Sequence, residues 1–327
     1  MTVVLSHSDI AELIDRTAVY HAVRRAHADL SSGGAQNPAP SAIPVHGDAT
    51  VLPMVATAAR HRGSVVKMLS DMPANRACGL PTQRSAILLM STETGECQAL
   101  LDGRLVTAVR TAAASAVATA ALAREYATTL GLIGAGALAV EHTRAIARIR
   151  PIEKVVVWSR NDSTVEQFRH RIGDLELSVE RAGSPRDVVG AADVLCTLTP
   201  SQTPIVEGAW FRPGMHVNAV GAPPRADHRE IDGPGMGSVR LVVDSRQTAL
   251  TKSGDVLIAI TEGYLRDSDV TLELGDVLVD PRIGRRDGDD ITLFNSVGIG
   301  LQDLVTARVL VDAALERGVG SRVDLGG

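Results

Sequence analysis

Aromatic residues are almost missing from this chain. Phe168, Phe211, Phe294, Trp158, Trp210, Tyr20, Tyr126 and Tyr264 are the whole set, 2% of 327 residues. Few remain to stack nucleic-acid bases, and the cores must be built from Val, Leu, Ile and Ala, which suits parallel sheets covered by helices. Cysteine is also scarce. Cys78, Cys97 and Cys196 are odd in number, scattered and without C-x-x-C spacing, so they signal neither a disulfide framework nor a zinc site and fit a reducing compartment. No metal ligand set is expected. Basic charge is not in excess: a formal net charge of −5 leaves no broad cationic footprint, so nucleic acid is not an expected partner. The opening MTVVLSHSDIAELID lacks the basic, apolar and small-residue regions of a signal peptide. The longest low-polarity segment, Thr111 to Ala123, reads as too short and too rich in Ala, Ser and Thr to span a bilayer. A cytoplasmic protein with no membrane partner is expected.

What is present is 45% apolar residues over a length that exceeds one hydrophobic core, so two domains are expected. The stretch Leu130 to Val140, LGLIGAGALAV, joins an apolar strand, a tight glycine turn and a helix start. Gly134 permits the sharp turn, Gly136 lets backbone N–H groups approach a pyrophosphate, and Ala139 lets the helix sit close to the sheet. Ala137 and Leu138 open that helix. A second buried strand, Lys154 to Trp158, completes the βαβ spacing. It leads to Ser159, Arg160 and Asn161, where a chain that selects NAD places an acid. A guanidinium there favours a 2′-phosphate, so NADP(H) is expected over NAD(H), unless Asp162 does the acid's work from further on. Further strands are expected at Asp193 to Thr199, Met215 to Gly221, Val239 to Asp244 and Thr292 to Gly298, and a final helix from about Leu301 to Arg317.

Before the glycine turn the texture differs. Runs at Ala42 to Val45, Val51 to Val55, Ser64 to Leu69 and Ala86 to Ser91, broken by Gly, Pro, Asn and Asp clusters, predict a mixed, largely non-parallel sheet. Ser8 is the expected cap of a first helix. Lys67 stands inside the apolar run VVKML, where an ammonium is costly unless it turns to solvent, finds a partner or faces a cleft. Arg110 is read in the first turn of an Ala-rich helix capped by Thr107. A positive charge is unfavourable there, so Arg110 is either solvated or answers an anion.

The strings PANRACGLPT (Pro73 to Thr82), TGECQALLDGRLVTAVRTAAASAVA (Thr94 to Ala118), LGLIGAGALA, VNAVGA (Val217 to Ala222), KSGDV (Lys252 to Val256) and TLFNSVG together resemble the ornithine cyclodeaminase/μ-crystallin family, over almost the whole chain. The resemblance implies an α/β fold: a Rossmann dinucleotide-binding domain, residues 125–298, inserted into a mixed α+β dimerisation and substrate domain, residues 1–124 and 299–327. It implies a homodimer acting on a small amino or imino acid. Lys67 then meets the substrate carboxylate or imine beside the nicotinamide, and Arg110 clamps a carboxylate. Thr111, Thr197, Leu198, Thr199 and Val220 fall near the cofactor, and Ser296, Val297 and Gly298 form the loop touching the nicotinamide amide. The string WSR at Trp158 to Arg160 resembles the WNR-type string of the NADPH-binding μ-crystallin branch.

Two departures shape the expected activity. Cyclodeaminases carry an aspartate in a G-x-D-x-P-G setting where this chain reads GAPPRADHREID, with Pro223 and Pro224 in place and Asp227 a few residues later. Proline moves no proton, so ring-closing amine loss lacks its acid–base group. The family's arginine before the strand ending I-P-V aligns with Pro40, so Arg84 or His46 replaces it or the substrate lacks that group. The expected function is an NAD(P)H-dependent imine (ketimine) reductase, or amino-acid dehydrogenase in reverse. The alternatives are an ornithine or lysine cyclodeaminase with recycled NAD, and a μ-crystallin-like protein that binds NADP(H) and a small ligand.

Overall fold

Alternation of inward and outward residues shapes the first part of the chain. In the computed structural model, which describes residues 1–325, the strands Thr50–Ala58, Gly63–Asp71 and Gln83–Ser91 pair antiparallel, with Met54, Lys67 and Ile87 side by side on the buried face. They belong to an eight-stranded sheet ordered Ser321–Val323, Thr2–Leu5, Cys97–Asp102, Gln83–Ser91, Gly63–Asp71, Thr50–Ala58 and Ala35–Gln36, with Ile43–Pro44 also on Thr50–Ala58. Every pairing is antiparallel except that of Thr2–Leu5 with Cys97–Asp102. Helix Gly300–Arg317 packs across the three central strands and against helix Arg16–Ser31. Gly300 allows the helix to sit close to the sheet, because a Cβ there would come within 3.1 Å of the Val55 backbone and force a small shift.

The other face of this sheet is apolar and open. One row runs Val4, Leu100, Leu88, Val66 and Val55 across five strands, and Met68 stands beside it. Val55, Leu100 and Met68 are among the exposed large hydrophobic residues.

The chain forms two compact units, Met1–Arg110 with Ile299–Gly327, and Thr111–Gly298. The first junction lies inside helix Gly103–Leu122, between Arg110 and Thr111, whereas sequence placed it after the helix. That helix starts earlier than expected. Asp102 accepts from the Arg104 N–H and so opens it, while Thr107 lies within it and donates to the Gly103 carbonyl. Arg110 is thus about two turns in, and the helix-end argument for its charge does not apply. The helix's 20 residues also exceed the apolar segment expected. By length and composition it is long enough to cross a membrane, but 72% of its most apolar window is buried inside the protein. The first helix, His7–Leu13, is capped by Ser6 in a reciprocal pair with Asp9, two residues before the Ser8 expected.

The second unit is a parallel eight-stranded sheet ordered Ser178–Arg181, Lys154–Trp158, Thr129–Ile133, Val194–Thr197, His216–Ala219, Thr292–Asn295, Arg240–Val243 and Leu272–Glu273. The chain runs outward from Thr129–Ile133, then returns to its other side at Val194–Thr197. This reversal is the switch point at which open parallel sheets leave a crevice beyond their carboxyl ends.

Candidate active site

At the switch point the glycine turn behaves as its sequence requires. Gly134 has φ +106°, a conformation that L side chains avoid, and a Cβ there would lie 2.8 Å from the Leu198 carbonyl oxygen. Its N–H donates to the Trp158 carbonyl, which ties the turn to the strand end carrying Ser159 and Arg160. Gly136 precedes helix Ala137–Ile146 with no side-chain cap, and nothing lies within 4 Å of where its Cβ would be. Uncapped N–H groups before open space are what a pyrophosphate needs, so these residues fit a dinucleotide. His142 holds the helix from behind. A carbonyl only accepts, so His142 Nδ1 donates to Leu138 and Nε2 accepts from Ser115 Oγ, 2.9 Å away; burial pushes the imidazole down to about 4 and keeps it neutral.

Ser159 is half-buried, and Arg160 and Asn161 are exposed. The carboxylate of Asp162 is paired with Arg181. Ser296, Val297 and Gly298 follow strand Thr292–Asn295. Asp244, a residue that sequence reading missed, accepts from Gly298 N–H at 2.6 Å and from Ser296 Oγ at 3.1 Å. Thr111 and Val220 are buried. Thr197 ends its strand, two residues short of the Thr199 expected, and Leu198 and Thr199 open the following loop; Glu230, also missed, has a buried carboxylate that accepts from Thr197 Oγ1, Thr199 Oγ1 and N–H, and Gly221 N–H. Burial beside Asp255 raises Glu230 to about 7, while Asp255 itself rises to about 6 through burial.

The first unit holds a different centre. Lys67 is not turned to solvent: it is fully buried, and Nζ donates to Thr107 Oγ1 at 2.7 Å and to Asp303 Oδ1 at 3.1 Å. Arg110 donates from Nε to the same Asp303 oxygen, 3.3 Å away, and from Nη1 to Gln302 Oε1 at 2.8 Å. Since a guanidinium only donates, Gln302 must present its amide nitrogen to His27 Nε2, 3.1 Å away. Burial lowers His27 to about 4, so the ring is neutral with its proton on Nδ1. Two cations therefore share one carboxylate, and one positive charge is left over. Asp303 Oδ2 is buried without a partner among the described residues. Burial drives the Lys67 ammonium down to about 8, with Arg110 pushing the same way and Asp303 opposing.

The two expected substrate groups, Arg84 and Asp227, are both exposed. Arg84 pairs with Ser70, one residue out of phase with the Lys67–Ile87 pair, so the pleat sends it to the opposite face of the sheet. Asp227 is exposed and accepts from His228 Nδ1 at 2.9 Å, which lowers its pKa. His46 is exposed as well.

The model of the ornithine cyclodeaminase/mu-crystallin family matches residues 1–318. The chain belongs to this family. A Delta(1)-pyrroline-2-carboxylate reductase of Bacillus cereus is 31% identical to it over 98% of this chain and 99% of its own. Among solved structures, the Delta(1)-pyrroline-2-carboxylate reductase of Thermococcus litoralis in complex with NADH and L-proline is 35% identical, with a TM-score of 0.95 over 98% of this chain and all of that one. An archaeal alanine dehydrogenase dimer with bound NAD is 28% identical, with a TM-score of 0.93 over 99% of both chains. The α/β architecture that the sequence implied, one mixed and one parallel sheet, is the fold of this family member.

Proposed function

We propose that this protein is an NAD(P)H-dependent reductase of a small 2-imino acid, with a cyclic ketimine such as Δ1-pyrroline-2-carboxylate as the leading substrate and amino-acid oxidation as the reverse reaction. The observation that carries this reading is the buried Lys67–Asp303–Arg110 cluster, whose surplus positive charge suits one carboxylate. Lys67 has a third N–H to give, and Arg110 keeps three of its five donors, so the pair can grip both oxygens of a carboxylate. The cofactor supplies a hydride to the C=N carbon when bound. Arg110 orients the substrate, and Lys67 holds a proton at Nζ close to its release range. Holding the reactants in one geometry is the main source of rate.

Supporting this over amine elimination, Pro223 and Pro224 stand where the cyclodeaminase aspartate would, and Asp227 faces solvent. A preference for NADP(H) rests on exposed Arg160 and on Asp162 being taken by Arg181, which leaves no acid offered to a ribose hydroxyl at this strand end. A homodimer rests on the open apolar sheet face and on the dimeric alanine dehydrogenase.

The test is loss of reduced-nicotinamide absorbance with pyrroline- and piperideine-2-carboxylates and with pyruvate plus ammonia. Turnover of at least one imine, without ammonia release from ornithine, is expected. No turnover of any of them overturns the reading.

A further inference from the structure

We propose that Glu230 is a positioning residue of the dinucleotide crevice: its carboxylate locks together the loops after strands Val194–Thr197 and His216–Ala219, and through them the glycine turn. This rests on reading the second unit as the cofactor carrier.

Glu230 is fully buried and has no cationic partner among the described residues; its oxygens are satisfied by neutral donors alone. Oε1 takes the Thr199 N–H at 2.6 Å and the Thr199 hydroxyl at 2.7 Å. Oε2 takes the Gly221 N–H at 2.7 Å and the Thr197 hydroxyl at 2.8 Å. The residue is fixed from behind as well, because Asp255 accepts from its N–H and from that of Ile231, while its carbonyl accepts from Ile205 and Val206.

The loops it joins are in backbone contact. A Cβ on Gly221 would lie 2.0 Å from Thr199 N, and one on Gly134 would lie 2.8 Å from Leu198 O. A shift of Thr199 would therefore drive Leu198 against the turn before helix Ala137–Ile146. Only a carboxylate fits this position. Each oxygen receives one peptide N–H, and a peptide N–H cannot reverse as a hydroxyl can. Glutamine has the same shape, but either amide orientation sets an NH₂ against a peptide donor. Aspartate is one carbon too short to meet both loops from the same backbone.

The experiment titrates NADPH and NADH into substrate-free wild type and E230Q by nicotinamide fluorescence, and follows amide exchange of the Thr197–Thr199 and Gly221 peptides in ligand-free protein. E230Q should weaken binding about tenfold or more and speed exchange in those peptides. The KM for imine should stay unchanged, which a general loss of structure would not allow. Wild-type affinity in E230Q, or exchange raised evenly across the second unit, overturns the proposal. Should E230Q not fold, the T197V/T199V double variant removes only the hydroxyl donors, and weaker dinucleotide binding is again expected; unchanged affinity there also overturns it. If the wild type binds neither dinucleotide, the cofactor reading falls, while the exchange comparison still decides whether Glu230 holds the loops.

Discussion

Both units bury ionisable groups, and they satisfy them in opposite ways. In the second unit Glu230, Asp255 and Asp244 are met by peptide N–H groups and hydroxyls from other segments of that unit. The acceptor sites of Glu230 are filled before any ligand arrives, so these acids build a rigid rim and ask for nothing. In the first unit Lys67 and Arg110 have one carboxylate between them and donors to spare. Burying an ion costs several kcal/mol unless it is paired and fully hydrogen-bonded, so under the proposed function the substrate carboxylate supplies the missing counter-charge.

Replacing Arg110 with Met should test this most severely. Removing the clamp is expected to lower kcat/KM for the imine about a thousandfold, while dinucleotide affinity in fluorescence titration stays put. Equal activity would mean that the surplus charge has no part in binding. Next in size, Asp303→Asn leaves two buried cations with no counter-charge and should cost about 3 kcal/mol in urea unfolding. Asp255→Asn should cost about 1 kcal/mol, because one amide oxygen can still take both peptide N–H groups. Similar losses in the two variants would erase the contrast between the centres.

The pH profile sharpens it further. With Lys67 down at about 8, the charged clamp persists below that pH, and kcat/KM should fall about tenfold per unit above it. Between about 8 and the ordinary lysine value near 10.5 the unfolded chain holds the proton that the folded one has lost, so Lys67's contribution to stability rises with pH while activity falls. A profile flat to pH 10 would remove Lys67 from the rate. Smallest, Arg160→Ala should weaken NADPH about tenfold and leave NADH unchanged in the same titration.

The parallel half was legible where local rules decide. Gly134 and strand Lys154–Trp158 follow from spacing and from the backbone that a tight turn needs. Lys67 was conspicuous because it is set in the apolar run VVKML. Its direction was not legible, because the inward parity of a strand is fixed by what packs on it. The same parity misplaced Arg84. The helix start before Arg110 was read about one turn too late because Thr107 looks like a cap, whereas the side chain of Asp102 opens the helix. Asp303 lies 236 residues from Lys67, and Glu230 lies 33 from Thr197, so no spacing rule joins them. Glu230 in HREID and Asp255 in KSGDV sit among other polar residues in the sequence, so nothing local marked them as buried.

The two indoles, Trp158 at the end of its strand and Trp210 in the short helix Gly208–Trp210, both pack on the hydrophobic core of the second unit. Intrinsic emission excited in the tryptophan band therefore reports that unit alone. If the units melt separately, a fluorescence transition and a far-ultraviolet dichroism transition will not coincide. The same indole at position 158 adjoins Ser159 and Arg160, so energy transfer to a reduced nicotinamide provides a built-in readout of loading that needs no label.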